Sequence, residues 1–469
     1  MSENNSKMNV NIWSRGKEPS LTGRIVVPED PQYNLSRIEF NTFFNKFPLV
    51  IVFAQETKDV ANAVRWARYW DIPIRIRSGR HNYEGLSVVD GGIVIDVSEM
   101  KQVGVDNRQG TVTVQTGLRD LELYNILGSE GLTVPAGLCP TTGIAGFTLG
   151  GGQSSLSRKL GLMIDSLLEL EMVDANGRVL HANNNHHEDL FWASRGGGGG
   201  NFGICTSFRF RTYHIDTVAY ATISWELRDL EPVLKVWQEY TTPNADERLT
   251  PLLTIMNGAN LNFQNQLFTQ SFPLVMQGVF LGSAAKLRQL LHPLLRAGSP
   301  RQVFIDEIPW LEAVDRIAAT QPDSPLPFKS VGPFVNRLLP EKGIDTIRNF
   351  IDNPPPSSTV TVFFHGLGGA VAKVPSNATA YFWRQAFSNM SPFATWDTPE
   401  AAAPSIQWVE SFRKAMLPFT QGVYVNTPDL TIKDWPKAYY GSNFGRLTRV
   451  KARYDPENLF HFPQSIPPA

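Results

Sequence analysis

Apolar positions along this chain switch repeatedly between helical and strand-like spacing. Val60, Ala63, Val64 and Ala67 follow Thr57 at three- and four-residue steps, which predicts an N-capped amphipathic helix stopped near Asp71 and Pro73. A short strand over Ile74–Ile76 then runs directly into the loop Arg77–Gly85. Ile93–Val97 and Thr111–Gln115 read as strands, and Leu118, Leu121, Tyr124 and Leu127 mark a helix closed by Gly128 and Gly131. Leu167–Val173 and Arg178–His181 flank Asn176-Gly177, a dipeptide suited to a tight hairpin turn. Helices and hairpins mixed in this way predict an α+β fold rather than an alternating doubly wound sheet.

From about Ala219 the texture changes. Strand-like runs (Thr250–Met256, Leu274–Leu281, Thr359–Phe364) alternate with helix-like ones and with proline-rich breaks such as Asn353–Ser358. This predicts a second domain, an antiparallel sheet covered by helices. A helix opened by Pro404, with Ile406, Val409, Phe412 and Met416 on one face, precedes the string GVYVN. The stretch Tyr439–Ile466 regains loop motifs and is expected to return to the first domain. The division expected is therefore 1–215, 216–423 and 424–469.

Composition narrows the classes. The 469 residues are 42% hydrophobic and 19% charged, ordinary globular values in a chain too long for one core. A net charge of −1 gives no electrostatic reason to expect nucleic acid or an anionic membrane. No apolar run approaches the roughly 20 residues of a spanning helix. The polar start Met1–Lys7 lacks an apolar signal region, and two cysteines cannot form a disulfide framework, so a cytoplasmic location is expected.

Two loops stand out chemically. His81 lies in RSGRHNYEG, where Ser78, Gly79, Arg80 and Asn82 form a turn whose backbone N–H groups suit a phosphate or ring carbonyl. The other seven histidines have no such setting and read as surface or core residues. Cys139 lies in GLCPTTGIAGFTLGGG. In isolation it reads as a small buried hydrophobe. Its neighbours Leu138, Thr142, Gly143, Gly146 and Gly150, Gly151 and Gly152 offer a backbone that a flat or anionic group can lie against. Cys205, in a strand-like run, reads as core.

Further along, RGGGGGNFGI contains Gly200, Asn201, Gly203 and Ile204, and its flanking helix and strand favour a fixed close approach over a free linker. Tyr440, Asn443 and Gln464 sit in turn-rich strings; the amides of Asn443 and Gln464 suit the edge of a heteroaromatic ring, or else ordinary turn chemistry. Strand alternation puts Tyr424 and Asn426 on one side, where a buried, hydrogen-bonded tyrosine is the plainer reading. Nucleophile elbow, phosphate loop and dinucleotide fingerprint are missing, and His186-His187-Glu188-Asp189 is not a metal-binding HExxH, so no metal is expected.

The conjunction of these segments resembles the berberine-bridge-enzyme-like branch of the vanillyl-alcohol-oxidase flavoproteins, which carry a PCMH-type FAD-binding domain. The likeness is strongest over Phe47–Tyr213 and Tyr424–Pro468. It implies an FAD domain of two α+β subdomains and a substrate domain, with FAD linked through its 8α-methyl to His81 and through C6 to Cys139. It also implies that Arg77, Ser78, Gly79, Arg80, Asn82, Leu138, Thr142, Gly143, Gly146, Gly150–Gly152, Gly200, Asn201, Gly203, Ile204, Tyr440, Asn443 and Gln464 surround the cofactor. Tyr424 would take a proton from an alcohol-type substrate, assisted by Asn426, with a pKa depressed by positive charge or by hydrogen bonds to the phenolate. Asn389 and Ser391 would face the substrate, and dioxygen would reoxidise the flavin to give hydrogen peroxide.

This sequence departs from the family pattern at Arg80, where relatives carry glycine, and at Gln153-Ser154-Ser155 after the glycine run. Thr142 stands where plant relatives usually carry an aliphatic side chain that looks like a control on oxygen access. A sugar or oligosaccharide and a secondary metabolite both remain open as substrate. So do a dehydrogenase with another electron acceptor, a ring-closing tailoring enzyme, and a flavin-binding module without catalysis.

Overall fold

Every residue of the strands Val50–Phe53 and Ile93–Asp96 is buried, the signature of a sheet covered on both faces. The computed structural model describes residues 19–258 and 272–469. In it these two strands pair in parallel with each other and, through Ile93–Asp96, with Ile74–Arg77, while Arg24–Val26 adds an antiparallel edge. The helix Thr57–Tyr69 is the crossover, burying Val60, Ala63, Val64, Trp66 and Ala67 against one face. Thr57 is not its N-cap. Glu56 is, with its N–H bonded to the Asp59 carboxylate, and the Thr57 hydroxyl instead donates to Glu171 at 2.7 Å.

A second sheet, five-stranded and antiparallel, contains Thr111–Gln115, Ile204–Arg211 and the hairpin Leu167–Val173 with Val179–Asn183. Gly177 turns that hairpin at φ +69°. Both sheets are combined with helices, and the mixed α+β class holds throughout.

The largest sheet has nine strands among the described residues, all antiparallel. Its centre is Leu249–Gly258, Ser358–Gly366 and Ser388–Trp396. One face buries Leu253, Ile255, Val360, Val362, Phe364, Met390 and Ala394 under the helices Leu230–Trp237, Glu341–Asp352 and Ala402–Met416. The other face is turned to the loops that follow Ile74–Arg77 and precede Ile204–Arg211. Its last strand, Gln421–Val423, ends one residue before Tyr424, so Tyr424 and Asn426 lie in the turn beyond it rather than within a strand.

The C-terminal segment returns to the first two sheets. Lys451 is fully buried and donates to the carbonyls of Asn201 and Phe460 and to the Asp455 carboxylate, each at 2.6 Å. The Ile466 N–H reaches the Asn201 side chain at 2.8 Å. Among the described residues no helix is long and apolar enough to cross a membrane.

Candidate active site

The loop after Ile74–Arg77 is fixed from below by Arg77. Its guanidinium donates to Asp96 at 2.7 Å, to Glu39 at 3.3 Å and to the Ser36 carbonyl at 2.7 Å, with all three side chains fully buried. Arg77 is therefore an anchor of the loop, its charge already matched within the protein. Gly79 and Gly143 press together: a Cβ on Gly79 would lie 2.1 Å from the Gly143 nitrogen. That contact brings the His81 loop against the Cys139 loop. Arg80 holds a left-handed φ of +64°, the geometry for which glycine is usual, and its guanidinium reaches the Leu35 carbonyl at 3.1 Å. Asn82 closes the turn by accepting the N–H groups of Glu84 and Leu86, both at 3.0 Å.

These loops wall a cavity of about 440 Å³ between the first two sheets and the open face of the large sheet. His81 and Cys139 meet there on one group. The Thr141 hydroxyl lies 2.8 Å from His81 Nε2 and 3.7 Å from Cys139 Sγ, so the two side chains are no further apart than those distances laid end to end. Thr141 was not singled out from the sequence. The imidazole stacks on Phe40 at 3.9 Å, and burial, reinforced by Arg119, lowers it to about 3. It is a neutral nucleophile at any ordinary pH. Burial raises the Cys139 thiol, opposed by the hydroxyls of Thr141 and Thr142.

Tyr424 faces the same cavity. Its phenol oxygen accepts two hydrogen bonds, from the Gly152 N–H and from Asn426 Nδ2, each at 2.9 Å. The depressed pKa expected for this tyrosine is absent. Burial dominates and raises it, and the two donors only partly offset that cost because no positive charge stands nearby.

The glycine run has a different task from the one the sequence suggested. Gly150, Gly151 and Gly152 do not line the cavity. A Cβ on Gly150 would sit 1.9 Å from the Asn426 side-chain oxygen, and one on Gly151 would sit 2.7 Å from the Tyr381 ring. The run makes room for Tyr424, Asn426 and Tyr381, not for a ligand.

The large sheet supplies the opposite wall in rows set by strand register. Thr254, Phe363 and Ser391 form one row, and Met256, Thr361 and Phe393 the next. His365 stands beside Asn389 in a third. Because a carbonyl only accepts, the 2.9 Å contact of His365 Nε2 with the Ser154 carbonyl fixes the proton on Nε2, leaving Nδ1 as an acceptor. Burial lowers this imidazole to about 4. Asn389 is held by the Gly332 and Pro333 carbonyls and accepts the Ser391 hydroxyl at 3.1 Å.

Ser78, Gly79, Arg80, Asn82, Leu138, Thr142, Gly143, Gly146, Gly200, Asn201, Gly203, Tyr440 and Gln464 also line the cavity. Two further candidates do not. Ile204 is fully buried in the core behind the first sheet. Asn443 spends its amide on the carbonyls of Ser376, Thr379 and Ala380, tying down that loop. Gln464 touches the cavity, but its amide is engaged by Tyr439 and by the carbonyls of Asp429 and Ile432.

Comparison with known proteins accounts for this arrangement. An FAD-binding-domain family model matches residues 48–183, and a "Berberine and berberine like" model matches 423–467. The FAD-linked oxidoreductase YgaK of Bacillus subtilis (strain 168) is 39% identical over 456 residues, spanning 96% of this chain and 98% of the relative. The chain belongs to the berberine-bridge-enzyme-like FAD-linked oxidoreductases. Among solved structures, BBE-like 1 of Physcomitrella patens superposes with a TM-score of 0.85 at 28% identity, over 95% of this chain and 96% of that one. The grass pollen allergen Phl p 4, described as having glucose dehydrogenase activity, superposes at 0.82 with 25% identity, over 95% and 97%.

The residues of this BBE-like chain fit FAD. At Gly146 a Cβ would meet nothing within 4 Å, and at Gly200 its nearest neighbours would be at 3.5 Å, so the backbone is bare toward the cavity at both. His81 and Cys139, on adjoining loops, face the same space.

Proposed function

We propose that this protein oxidises an alcohol-type small molecule with FAD held covalently at both His81 and Cys139, dioxygen serving as the electron acceptor and hydrogen peroxide as the reduced product. The observation that carries the reading is the meeting of the imidazole and the thiol on the Thr141 hydroxyl, in the cavity that Tyr424 also faces. FAD supplies the acceptor for one hydride, and with it the two electrons of the oxidation, when bound. The chain does the rest: it holds the ring, orients the donor carbon and manages the hydroxyl proton. Tyr424, with both acceptor positions filled by N–H groups, presents its own O–H to the substrate oxygen, and Asn426 fixes its direction.

The sheet wall favours a polyhydroxylated donor. Aromatic faces at Phe363 and Phe393 alternate with Thr254, Thr361, Ser391 and Asn389, a pairing of stacking surface with hydroxyl and amide groups suited to a sugar ring. Two tethers would let such a pocket stay open to an oligosaccharide. The glucose dehydrogenase activity in the description of Phl p 4 favours a second reading, in which the donor is again a sugar but the acceptor is not dioxygen.

The test is direct. Acid-denatured protein should remain yellow, with its intact mass raised by one FAD. His81→Ala and Cys139→Ala should each leave one bond, and the double variant should release free flavin. Flavin that comes away from the wild type on denaturation would refute the tethering. Aldoses and chito-oligosaccharides, tried against simple alcohols under air and then with a dye acceptor, separate oxidase from dehydrogenase.

A further inference from the structure

Asp120 is the only carboxyl lining the cavity among the described residues. It is 1% exposed, and neither side-chain oxygen has a side-chain partner. Its backbone is fixed at the start of the helix Asp120–Gly128 by a 2.9 Å bond to the Thr142 carbonyl, within the Cys139 loop. Room for the carboxyl exists because residue 137 is glycine: a Cβ there would lie 2.2 Å from Asp120 Oδ2 and 3.0 Å from the Phe147 ring. A buried carboxyl with no side-chain partner, opposed only by a backbone N–H, is costly, and such a group is a candidate for use by a ligand or a reaction.

Tyr424 has no capacity to take a proton in the resting protein, since burial keeps it protonated and its oxygen already accepts two N–H groups. We propose that Asp120 is the proton acceptor of this site, taking the hydroxyl proton of the donor that Tyr424 holds by hydrogen bond. The proposal rests on the reading that an alcohol is oxidised here. The O–H proton passes to a carboxylate oxygen while the hydride and its electron pair leave the carbon for the flavin; the carboxylic acid so formed returns its proton to solvent.

The groups that face Asp120 are the Gly137 N–H and Cys139 on the loop, Tyr124 on its own helix, and Tyr424. None of them is a cation. Burial pushes the carboxyl up to about 8, opposed only by the Gly137 N–H. The group is therefore an acid below that pH and a base above it, close to working conditions.

Infrared difference spectra of the holoprotein between neutral and alkaline pH test this without a substrate. A protonated-carboxyl band should titrate near pH 8 in the wild type, shift in Asp120→Glu and vanish in Asp120→Asn. In rapid-mixing reduction by D-glucose or cinnamyl alcohol, the wild-type rate should climb with pH through that ionisation. Asp120→Asn should lose the climb and run about 10²–10⁴-fold slower above it, with flavin content unchanged. A variant that keeps the climb and the rate, or a wild type with no titrating carboxyl band, overturns the proposal. If neither donor reduces the flavin, the alcohol reading falls, and the infrared titration still decides for or against Asp120.

Discussion

Tyr424→Phe is expected to slow anaerobic reduction of the bound flavin by about 10²–10³-fold, the usual loss when one aligned hydrogen-bond donor at a reacting oxygen is removed. The phenol oxygen is held by Gly152 and Asn426 at 2.9 Å each, so its hydrogen has one free direction, toward the cavity. Phenylalanine keeps the packing against Phe334 and Tyr381 while removing that donor and the acceptor of the Gly152 and Asn426 N–H groups. Flavin content should change little, thermal stability should fall modestly because two N–H groups lose their acceptor, and the pH limb assigned to Asp120 should survive. Stopped-flow reduction across pH reads both. A variant reduced as fast as the wild type would remove Tyr424 from the chemistry, and one that loses the pH limb would return the proton to the tyrosine.

Arg77→Met carries the largest expected effect on stability. The substitution leaves Glu39 and Asp96 buried with only the more distant Arg80, 4.0 Å from Asp96, as a cation, and breaking such a buried pair typically costs about 3–5 kcal/mol. The deficit should depend on pH in a definite direction. Burial already raises the Glu39 carboxyl, and Arg77 is the strongest influence opposing it, so the variant's Glu39 rises further. A carboxyl with a folded pKa above its unfolded value favours the fold when protonated and disfavours it as pH climbs through the interval between the two. Denaturant midpoints of Arg77→Met should therefore lie nearest the wild type in mild acid and fall furthest behind at neutral pH. Equal midpoints at every pH would show that the ion triad is dispensable. Because Arg77 anchors the loop that carries His81, the same variant should also attach flavin more slowly.

Much of the architecture was legible because local signals agreed with the fold. The Asn176-Gly177 hairpin, the helix beginning at Thr57 and the large antiparallel sheet each follow from spacing and turn chemistry. The loops bearing His81 and Cys139 were legible for the same reason, as glycines cluster where backbones approach. The substrate wall was not. Strands such as Ser358–Gly366 carry large apolar residues on both faces, Val362 and Phe364 toward the helices and Phe363 toward the cavity, so alternation alone cannot say which row meets a ligand. Gly150–Gly152 misled because a recess for a neighbouring side chain and a bed for a cofactor look alike in one dimension. Asp120 was hidden by a stronger local explanation, since an acidic residue in the first turn of a helix is what the macrodipole favours.

The return of the C-terminal segment has a consequence for biosynthesis. The cavity is lined by residues from Phe40 to Gln464, and Asn201 is tied into place by Lys451 and Ile466. A nascent chain whose residues 451–466 are still inside the exit tunnel lacks those contacts, although the glycine-rich loops have already emerged. Cofactor capture therefore waits until Lys451 and Ile466 have emerged, and a truncation before Lys451 should abolish flavin loading.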